Sequence, residues 1–363
     1  MIRRPSAGTI ALGAVLAAGG YLFDTEPLLA AGCGLLLLGA LAEAWTALAA
    51  RGARIGRELS ARRVVEDEPL SVRLHASAGV VRWPGAAVRD PLLGAPAPLR
   101  PLRRAARVRT SVRFGRRGMR ELPPPTLVVR DALGLAEREL ETDEAARVLV
   151  LPRTYPVLPA RGGGGPQASP GAVAVAVGAS LTEPDGLRPY RQGTPAARIH
   201  WPAVARGAGL LERRLRPEVE ARALVVLDTR APAGDEALDA AVRAAASLVL
   251  ELGRREGCEL LLPGERRPRA LEPDLVAWPA LHARLALVGP GPAPAAATLG
   301  TRTGPVLYVA ARALAQSPPA AARCAAGGLA LVVPGELPGR SAAFAVAGCH
   351  GYPMARAGRR AAA

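Results

Sequence analysis

The sequence predicts a chain of three parts: an amino-terminal helical hairpin, a small antiparallel β-sandwich, and a parallel β-sheet covered by helices. Two long apolar runs predict the hairpin, and alternation of apolar and polar residues with a period of two predicts the sandwich. Short apolar strands that alternate with helices predict the parallel sheet. With 363 residues, the chain is long enough for two domains that each bury a core.

The predicted hairpin covers residues 1–52. Its two apolar runs extend over Ala7–Phe23 and Leu28–Ala50. Each run approaches the roughly 20 apolar residues that cross a bilayer as a helix. The link between them, Asp24–Pro27, is long enough only for a tight turn. We therefore predict two transmembrane helices joined by a turn.

The charges that flank the hairpin predict its orientation. Arginines precede the first run and follow the second, whereas the turn is acidic. The positive-inside tendency then puts both ends in the cytoplasm, as in a multi-pass membrane protein whose bulk is cytoplasmic. A cleaved signal peptide would explain the first run but not the second. A buried hairpin of a soluble protein would carry more polar residues than either run contains.

The basic composition bears on the class of partner. The formal net charge is +16, and all of the basic residues are arginine because the chain has no lysine. Such a charge suggests nucleic acid or an anionic membrane as partner. The arginines are spread over every segment, aromatic residues make up 3% of the chain, and no RNA-binding aromatic motif occurs. The composition therefore disfavours nucleic acid and favours membrane lipid.

The four cysteines predict neither a disulfide framework nor a zinc site, because no pair has C-x-x-C spacing. Cys349 and His350 are adjacent, but neighbours in sequence rarely point at each other productively. We interpret Cys349 as a buried or surface thiol rather than a nucleophile. The sequence thus predicts no cofactor.

Residues 53–150 form the predicted sandwich. In the stretch Arg107–Phe114, valine, threonine and phenylalanine take one face while arginine and serine take the other, which is typical of a half-buried strand. The stretch Leu70–Ser77 repeats this pattern. Residues 151–188 are rich in glycine and proline and predict a linker or a long loop.

Residues 189–340 carry the predicted α/β domain, and residues 341–363 a carboxyl-terminal tail. The first buried strand is Ala223–Asp228, followed by an amphipathic helix with acidic residues at its start and Arg254 and Arg255 at its end. Further strands and helices alternate with short links, so the strands should form a parallel sheet. Ligand sites in such folds lie at the carboxyl ends of the strands. Asp228 ends the first of them.

A specific motif precedes that first strand. It follows the stretches "RDALGL" (Arg130–Leu135) and "VLVLPRTYPV" (Val148–Val157). Its residues are Tyr190, Arg191, Gly193, Arg198, Ile199, His200, Trp201, Ala205 and Arg206. With "VVLDTR" after it, this series resembles a large bacterial family catalogued as domain of unknown function 58.

The resemblance implies two membrane helices in a bacterial inner membrane, a strand-rich region, and a Rossmann-like von Willebrand factor A-type domain. It also implies a partner, a MoxR-type AAA+ ATPase. Two departures matter. Thr194 stands where the family has an acidic residue, and an adhesion-type Mg²⁺ site needs hydroxyls where this chain has Arg230 and Pro232. We therefore interpret Asp228 as a degenerate metal-site position that binds no metal.

The sequence thus predicts a non-catalytic, membrane-anchored adaptor or scaffold that binds protein partners. The motif is either a partner-binding surface, through its arginines and His200, or a junction in which Trp201 fills an apolar pocket. Two alternatives stay open. One is a basic membrane-surface protein that binds anionic lipid or nucleic acid. The other is a hydrolase that uses Asp228 and His200, although no G-x-S-x-G, H-E-x-x-H or Walker motif is present.

Overall fold

A computed structural model describes ten segments of the chain. They are residues 5–142, 145–160, 187–189, 201–207, 209–213, 222–295, 300–302, 304–316, 318–325 and 328–354. The chain divides into two compact units. The first comprises Met1–Gly115 and Met119–Val150, and the second comprises Arg116–Gly118 and Leu151–Ala363. The prediction of a mixed α/β protein with an amino-terminal apolar helix pair and several β-sheets is confirmed.

The chain begins with two apolar helices, α1 (Pro5–Leu22) and α2 (Glu26–Ala50). Glycines bring their backbones into contact: a Cβ atom added to Gly32 would lie 2.3 Å from the backbone nitrogen of Ala17. Small residues permit such close helix packing. By length and composition α2 is able to cross a membrane, and α1 is a shorter apolar helix.

The rest of the first unit is built from strands in three sheets. The strands are β1 (Arg54–Leu59), β2 (Arg63–Val65), β3 (Pro69–Ser77), β4 (Gly85–Arg89), β5 (Ala97–Leu99), β6 (Ala105–Arg113), β7 (Gly118–Leu122), β8 (Thr126–Arg130), β9 (Glu137–Glu141) and β10 (Ala146–Leu151). The sheet orders are β1-β3-β6, β2-β10-β7 and β5-β4-β8-β9. The three sheets share one apolar core, and this strand-rich region falls at the residues where the sequence predicts a β-sandwich.

The core of this unit also receives the end of α2. Ala49 is fully buried against the strand residues, and Glu43 of the same helix lies 3.7 Å from the guanidinium of Arg138 on β9. Because α2 packs against β8 and β9, the apolar hairpin and the strand-rich region form one unit rather than two separate domains.

Among its described residues, the second unit contains an eight-stranded sheet and four helices. The helices are α3 (Trp201–Ala205), α4 (Asp235–Glu256), α5 (Trp278–Ala286) and α6 (Pro319–Cys324). The strands are β11 (Leu158–Pro159), β12 (Leu187–Pro189), β13 (Leu211–Arg213), β14 (Ala223–Asp228), β15 (Cys258–Leu261), β16 (Arg269–Leu271), β17 (Val306–Ala310), β18 (Leu329–Pro334), β19 (Phe344–Val346) and β20 (Cys349–Met354).

The sheet has the order β11-β19-β20-β18-β17-β14-β15-β16. β14 pairs in parallel with β15 and β17, and β17 with β18, whereas the outer strands pair antiparallel. Side chains of β14 alternate between two cores. Val225 and Leu227 pack with α4 and α5 on one face, and Leu224 and Val226 pack with α6 on the other. Helices therefore cover both faces of the parallel strands.

The predicted tail at residues 341–363 needs correction. Within it, β19 and β20 form a hairpin, and β20 pairs with β18 inside the sheet. Phe344 and Tyr352 are buried in the two cores. The predicted linker at residues 151–188 also contributes a strand, because β11 pairs with β19. In β20, buried side chains on the two faces, Cys349 in one core and Tyr352 in the other, hold the strand in the sheet.

Candidate functional site

The site lies at the carboxyl edge of the parallel strands. Asp228 is the last residue of β14 and is fully buried. β14 is also where the strand order reverses, because β15 lies on one side of it and β17 on the other. The loops that leave β14 and β17 diverge at such a point and open a crevice in α/β sheets. The predicted position of Asp228 at a strand end is therefore the point where a ligand or partner binds in such sheets.

The carboxylate of Asp228 accepts hydrogen bonds at both oxygens. Oδ1 accepts from the backbone N–H and from Nε of Arg230, each at 3.0 Å. Oδ2 accepts from Nη2 of Arg230 at 2.9 Å, from the Tyr308 hydroxyl at 2.7 Å, and from Nη2 of Arg312 at 3.1 Å. Because two carboxylate oxygens offer about four lone-pair positions, the acceptor capacity of Asp228 is fully used.

The loop after β14 fixes this arrangement. Arg312 also donates to the backbone carbonyl of Arg230, and Ala233 donates its N–H to the carbonyl of Ala311 at 3.1 Å. Between these contacts Ala231 has φ +39°, a left-handed conformation that costs a non-glycine residue about 1 kcal/mol. Strain of this kind persists where the surroundings over-determine the backbone, and it is concentrated at functional sites.

The electrostatics of the cluster follow from burial and from the two guanidiniums. Burial alone would raise the pKa of Asp228, but the hydrogen bonds from Arg230 and Tyr308 and the charge of Arg312 lower it to about 2. Burial and the hydrogen bond to Asp228 raise the pKa of Tyr308 well above its usual value. The Asp228 carboxylate is thus ionised and the Tyr308 hydroxyl neutral over the physiological range.

The outer side of the cluster is positive. The side chains of Arg230 and Arg312 are 41% and 23% exposed, whereas the carboxylate beneath them is buried. Two guanidiniums above one carboxylate leave one positive charge at the edge of the sheet. A guanidinium recognises a second carboxylate through paired N–H donors, so this edge suits an acidic ligand.

A groove of about 380 Å³ lies at the same edge, beyond β15. Its lining includes Leu262, Leu287 and the glycine- and proline-rich stretch that ends at Pro292. Gly291 of this stretch approaches the site, because a Cβ atom there would lie 3.4 Å from Thr229 Oγ1. Leu287 is 56% exposed and supplies apolar surface to this groove.

The donor set does not fit the Mg²⁺ site that the resemblance implies. Arg230 and Pro232 occupy the positions where such a site has hydroxyl ligands, and the guanidinium of Arg230 lies on the carboxylate that the cation would need. Among the described residues, no group of three or more histidine, cysteine or acidic side chains is arranged to hold a metal ion.

The guanidinium on Asp228 should prevent Mg²⁺ from binding there. Excess MgCl₂ should leave the melting temperature of the wild-type α/β unit unchanged relative to EDTA. The double variant Arg230→Ser, Pro232→Ser exposes the Asp228 carboxylate and adds two hydroxyls, so Mg²⁺ should stabilise it by about 1 kcal/mol. Differential scanning fluorimetry of the full chain in detergent measures both. A Mg²⁺-dependent shift in the wild type would contradict the interpretation.

The predicted motif lies mostly outside the described residues. Tyr190, Arg191, Gly193, Arg198 and His200 fall there. The flanking strands β12 and β13 pair with each other.

Two motif residues are described. Trp201 begins α3 and is 57% exposed, so it does not fill the apolar pocket that the junction hypothesis requires. Arg206 is exposed in the turn after the helix. Of the predicted site residues, Asp228 is the one that the structure joins to the described cluster.

Sequence reasoning missed Tyr308 and Arg312. A signal for both existed, because Tyr308 is a polar side chain within a buried strand and Arg312 follows the end of that strand. A buried tyrosine hydroxyl needs a partner, and parallel strands end at one edge, so Asp228 was the available acceptor.

The cysteines do not form a second site. Burial raises the pKa of the Cys349 thiol and of the Cys258 thiol to about 12 each. A thiol with such a pKa is protonated and a poor nucleophile. His350 lies against the backbone carbonyl of Gly335 at 3.1 Å.

Comparison with known proteins leaves the family open. No protein-family model matches the sequence, and no curated protein is significantly similar to it. Among solved structures, the chain matches the CARDB domain of a protein from Pyrococcus furiosus, solved in complex with di-metal ions. The identity is 16%, the TM-score is 0.20, and the match covers 27% of this chain and 91% of that domain.

Proposed function

We propose that this protein is a membrane-anchored, non-catalytic scaffold that captures an acidic segment of a partner protein at the carboxyl edge of its parallel sheet. The observation that carries the proposal is the cluster around Asp228. Arg230 and Arg312 neutralise a buried carboxylate at the switch point of the sheet and keep a positive charge exposed there. The partner's carboxylate would pair with these guanidiniums, as it would with a cation in a metal-dependent site.

The chemistry of the cluster favours binding over catalysis. A general base needs a free lone pair and a pKa near the working pH. Asp228 has no free acceptor position and a pKa of about 2, and the pKa of Tyr308 is raised far above neutrality. The hydrolase alternative therefore has no base at Asp228, and its second residue, His200, lies outside the described residues.

The fold of the second unit supports the family resemblance that the motif suggests. Numbered along the chain, β14 to β18 lie in the order 3-2-1-4-5, with the third strand antiparallel and helices on both faces. This is the order of a Rossmann-like sheet. We take the second unit as a von Willebrand factor A-type domain of the domain of unknown function 58 family, and on that ground a MoxR-type AAA+ ATPase is the expected partner.

The amino-terminal helices supply the proposed anchor. α2 is long and apolar enough to cross a membrane, and arginines follow its end. With α1 it would form a two-pass anchor in a bacterial inner membrane, with the strand-rich part of the first unit and the second unit in the cytoplasm. The tight packing of the two helices at Gly32 supports a hairpin that inserts as one body.

Affinity capture tests the proposal. The tagged full chain is purified from detergent-solubilised native membranes with and without ATP, and bound proteins are identified by mass spectrometry. We expect an AAA+ ATPase with the wild type and its loss with the double variant Arg230→Gln, Arg312→Gln. Arg254→Gln, at the opposite edge of the sheet, is the matched control and should retain the partner. Equal capture by all three proteins would contradict the proposal.

A further inference from the structure

The end of the first unit that receives α2 carries a cluster of loops. The backbone N–H of Val80 donates to the carbonyl of Arg51 at 3.2 Å, and that of Ala78 to the carbonyl of Arg104 at 2.7 Å. Leu102 donates to the carbonyl of Trp83 at 2.8 Å. The link after α2 and the loops before β4 and before β6 are thus bonded into one surface.

A fourth loop joins the same end. β8 pairs with β4 so that Arg130 lies opposite Gly85, and the turn that follows contains Asp131 and Leu133. The carboxylate of Asp131 accepts from the N–H groups of Leu133 and Ala136 at 2.9 and 2.7 Å, which fixes the turn. β9 leaves this turn and meets α2 through Arg138 and Glu43. The turn therefore lies beside the helix.

This surface exposes apolar side chains at its loop tips. Val80, Leu102 and Leu133 are each between 62% and 69% exposed. Leu102 also has φ +60°, a left-handed conformation that costs a non-glycine residue about 1 kcal/mol. Single exposed apolar residues are ordinary on protein surfaces. Three of them on neighbouring loops beside an apolar helix instead indicate an interaction surface.

The same loops are basic. Arg51, Arg103 and Arg104 are exposed, and within the described segments none of the three has an ion-pair partner. The segments 69–89 and 91–120 contain no acidic residue, and the Asp131 carboxylate in the fourth loop accepts backbone N–H groups of its own turn. Exposed arginines beside exposed apolar side chains are the composition of a surface that binds anionic lipid: the apolar groups enter the interface and the guanidiniums contact phosphates.

We infer that this loop surface, comprising Val80, Leu102, Leu133, Arg51, Arg103 and Arg104, contacts the headgroups of an anionic phospholipid bilayer and orients the first unit on it. The inference rests on the proposed membrane anchor. From Glu26 to Ala42, α2 extends about 25 Å, close to the hydrocarbon thickness of a bilayer. Glu43, where the strand-rich region meets the helix, then comes at the headgroup level.

Depth-dependent quenching tests the inference on the full chain. In a Cys33→Ala background, Leu133→Cys or Val80→Cys carries an environment-sensitive fluorophore, and the protein is reconstituted into vesicles with or without phosphatidylglycerol. Ser60→Cys is the matched control, because Ser60 lies one residue beyond the far end of β1, about 20 Å from Arg54. Lipids with quenchers on their upper acyl carbons report contact.

We expect quenching of most of the emission at Leu133 and Val80 in vesicles with phosphatidylglycerol, and little at Ser60. Arg103→Glu with Arg104→Glu should reduce the quenching at Val80. Equal quenching at all three positions would overturn the inference, as would a fluorophore that responds to added DNA rather than to anionic lipid.

Resistance to alkaline extraction tests the membrane anchor independently of the lipid contact of the loop surface. A chain that stays in the membrane while Leu133 and Val80 remain unquenched overturns the lipid contact and leaves the anchor intact. A chain that alkali extracts from the vesicles overturns both.

Discussion

Replacement of Asp228 by alanine is expected to lower the free energy of unfolding of the α/β unit by about 3 kcal/mol. The change removes the acceptor of five hydrogen bonds, leaves the buried Tyr308 hydroxyl without an acceptor for its proton, and brings Arg230 and Arg312 together without a counter-charge. Because both guanidiniums are partly exposed and can be re-solvated, the effect falls at the lower end of the range for broken buried ion pairs.

Hydrogen exchange of the β14 and β17 amides measures this effect locally, so unfolding of the first unit does not obscure it. Asp274→Ala is the control. Asp274 is an exposed aspartate that, among the described residues, accepts one hydrogen bond, from the N–H of Val276, and its loss should cost under about 1 kcal/mol. Unchanged protection of β14 in Asp228→Ala would refute the role assigned to the cluster.

The same carboxylate makes stability depend on pH. Its pKa in the folded chain, about 2, lies below the ordinary value of 3.8 for an aspartate. The folded state therefore favours the ionised form, which contributes about 2 kcal/mol that is fully present above pH 4 and is lost as the pH falls toward 2. Asp228→Asn should lack this component of the acid sensitivity.

Replacement of Gly32 by leucine is expected to separate the two apolar helices. A Cβ atom at Gly32 would lie 2.3 Å from the backbone nitrogen and 2.7 Å from Cα of Ala17, and neither can move aside without displacing α1. Overpacking of this kind costs about 3 kcal/mol when backbone rather than a flexible side chain must give way. Gly34→Leu is the matched control, because nothing lies within 4 Å of a Cβ atom there.

Cross-linking measures whether the two apolar helices stay in contact. The Ser6 hydroxyl donates to the Glu43 carboxylate at 2.5 Å, so cysteines at these two positions should be joined by a short bis-thiol reagent in a Cys33→Ala background. We expect efficient cross-linking with Gly34→Leu and its loss with Gly32→Leu. Efficient cross-linking with both would show that the glycine contact does not hold the helices together.

Much of the fold could be predicted from the sequence because its patterns of apolar residues are strong. The apolar face predicted for the long helix, Leu238 to Leu252, is buried along its length in α4. The alternation predicted for β3 appears in its burial, with Leu70, Val72 and Leu74 inward. Both patterns depend only on local periodicity, which a single sequence displays.

The missed strands have a physical reason. β20 lies inside the sheet although it contains Pro353, and a proline argues against a central strand. The β19–β20 turn has Ala347 and Gly348 both at positive φ, and alanine is not a residue that signals such a turn. Their pairing depends on Phe344 and Tyr352 fitting the two cores, which is a tertiary property.

The site was predicted only at Asp228. The strand end located the carboxylate, but its partners come from the loop after β14 and from β17, some 80 residues along the chain. Which side chains meet there depends on strand order, and that order is set by packing rather than by local sequence. That Asp228 binds no metal, because Arg230 and Pro232 replace the hydroxyls, stays a prediction, which the MgCl₂ experiment tests.

The most direct test of this account is the affinity of the captured partner for the purified full chain, measured by titration in detergent for the wild type and for Arg230→Gln, Arg312→Gln. If these guanidiniums bind the acidic segment of the partner, the double variant should bind about 100-fold more weakly, a loss of about 3 kcal/mol, at a temperature where exchange shows that its β14 is folded. Equal affinities, with the variant folded, would contradict the claim that this edge of the sheet is the binding surface.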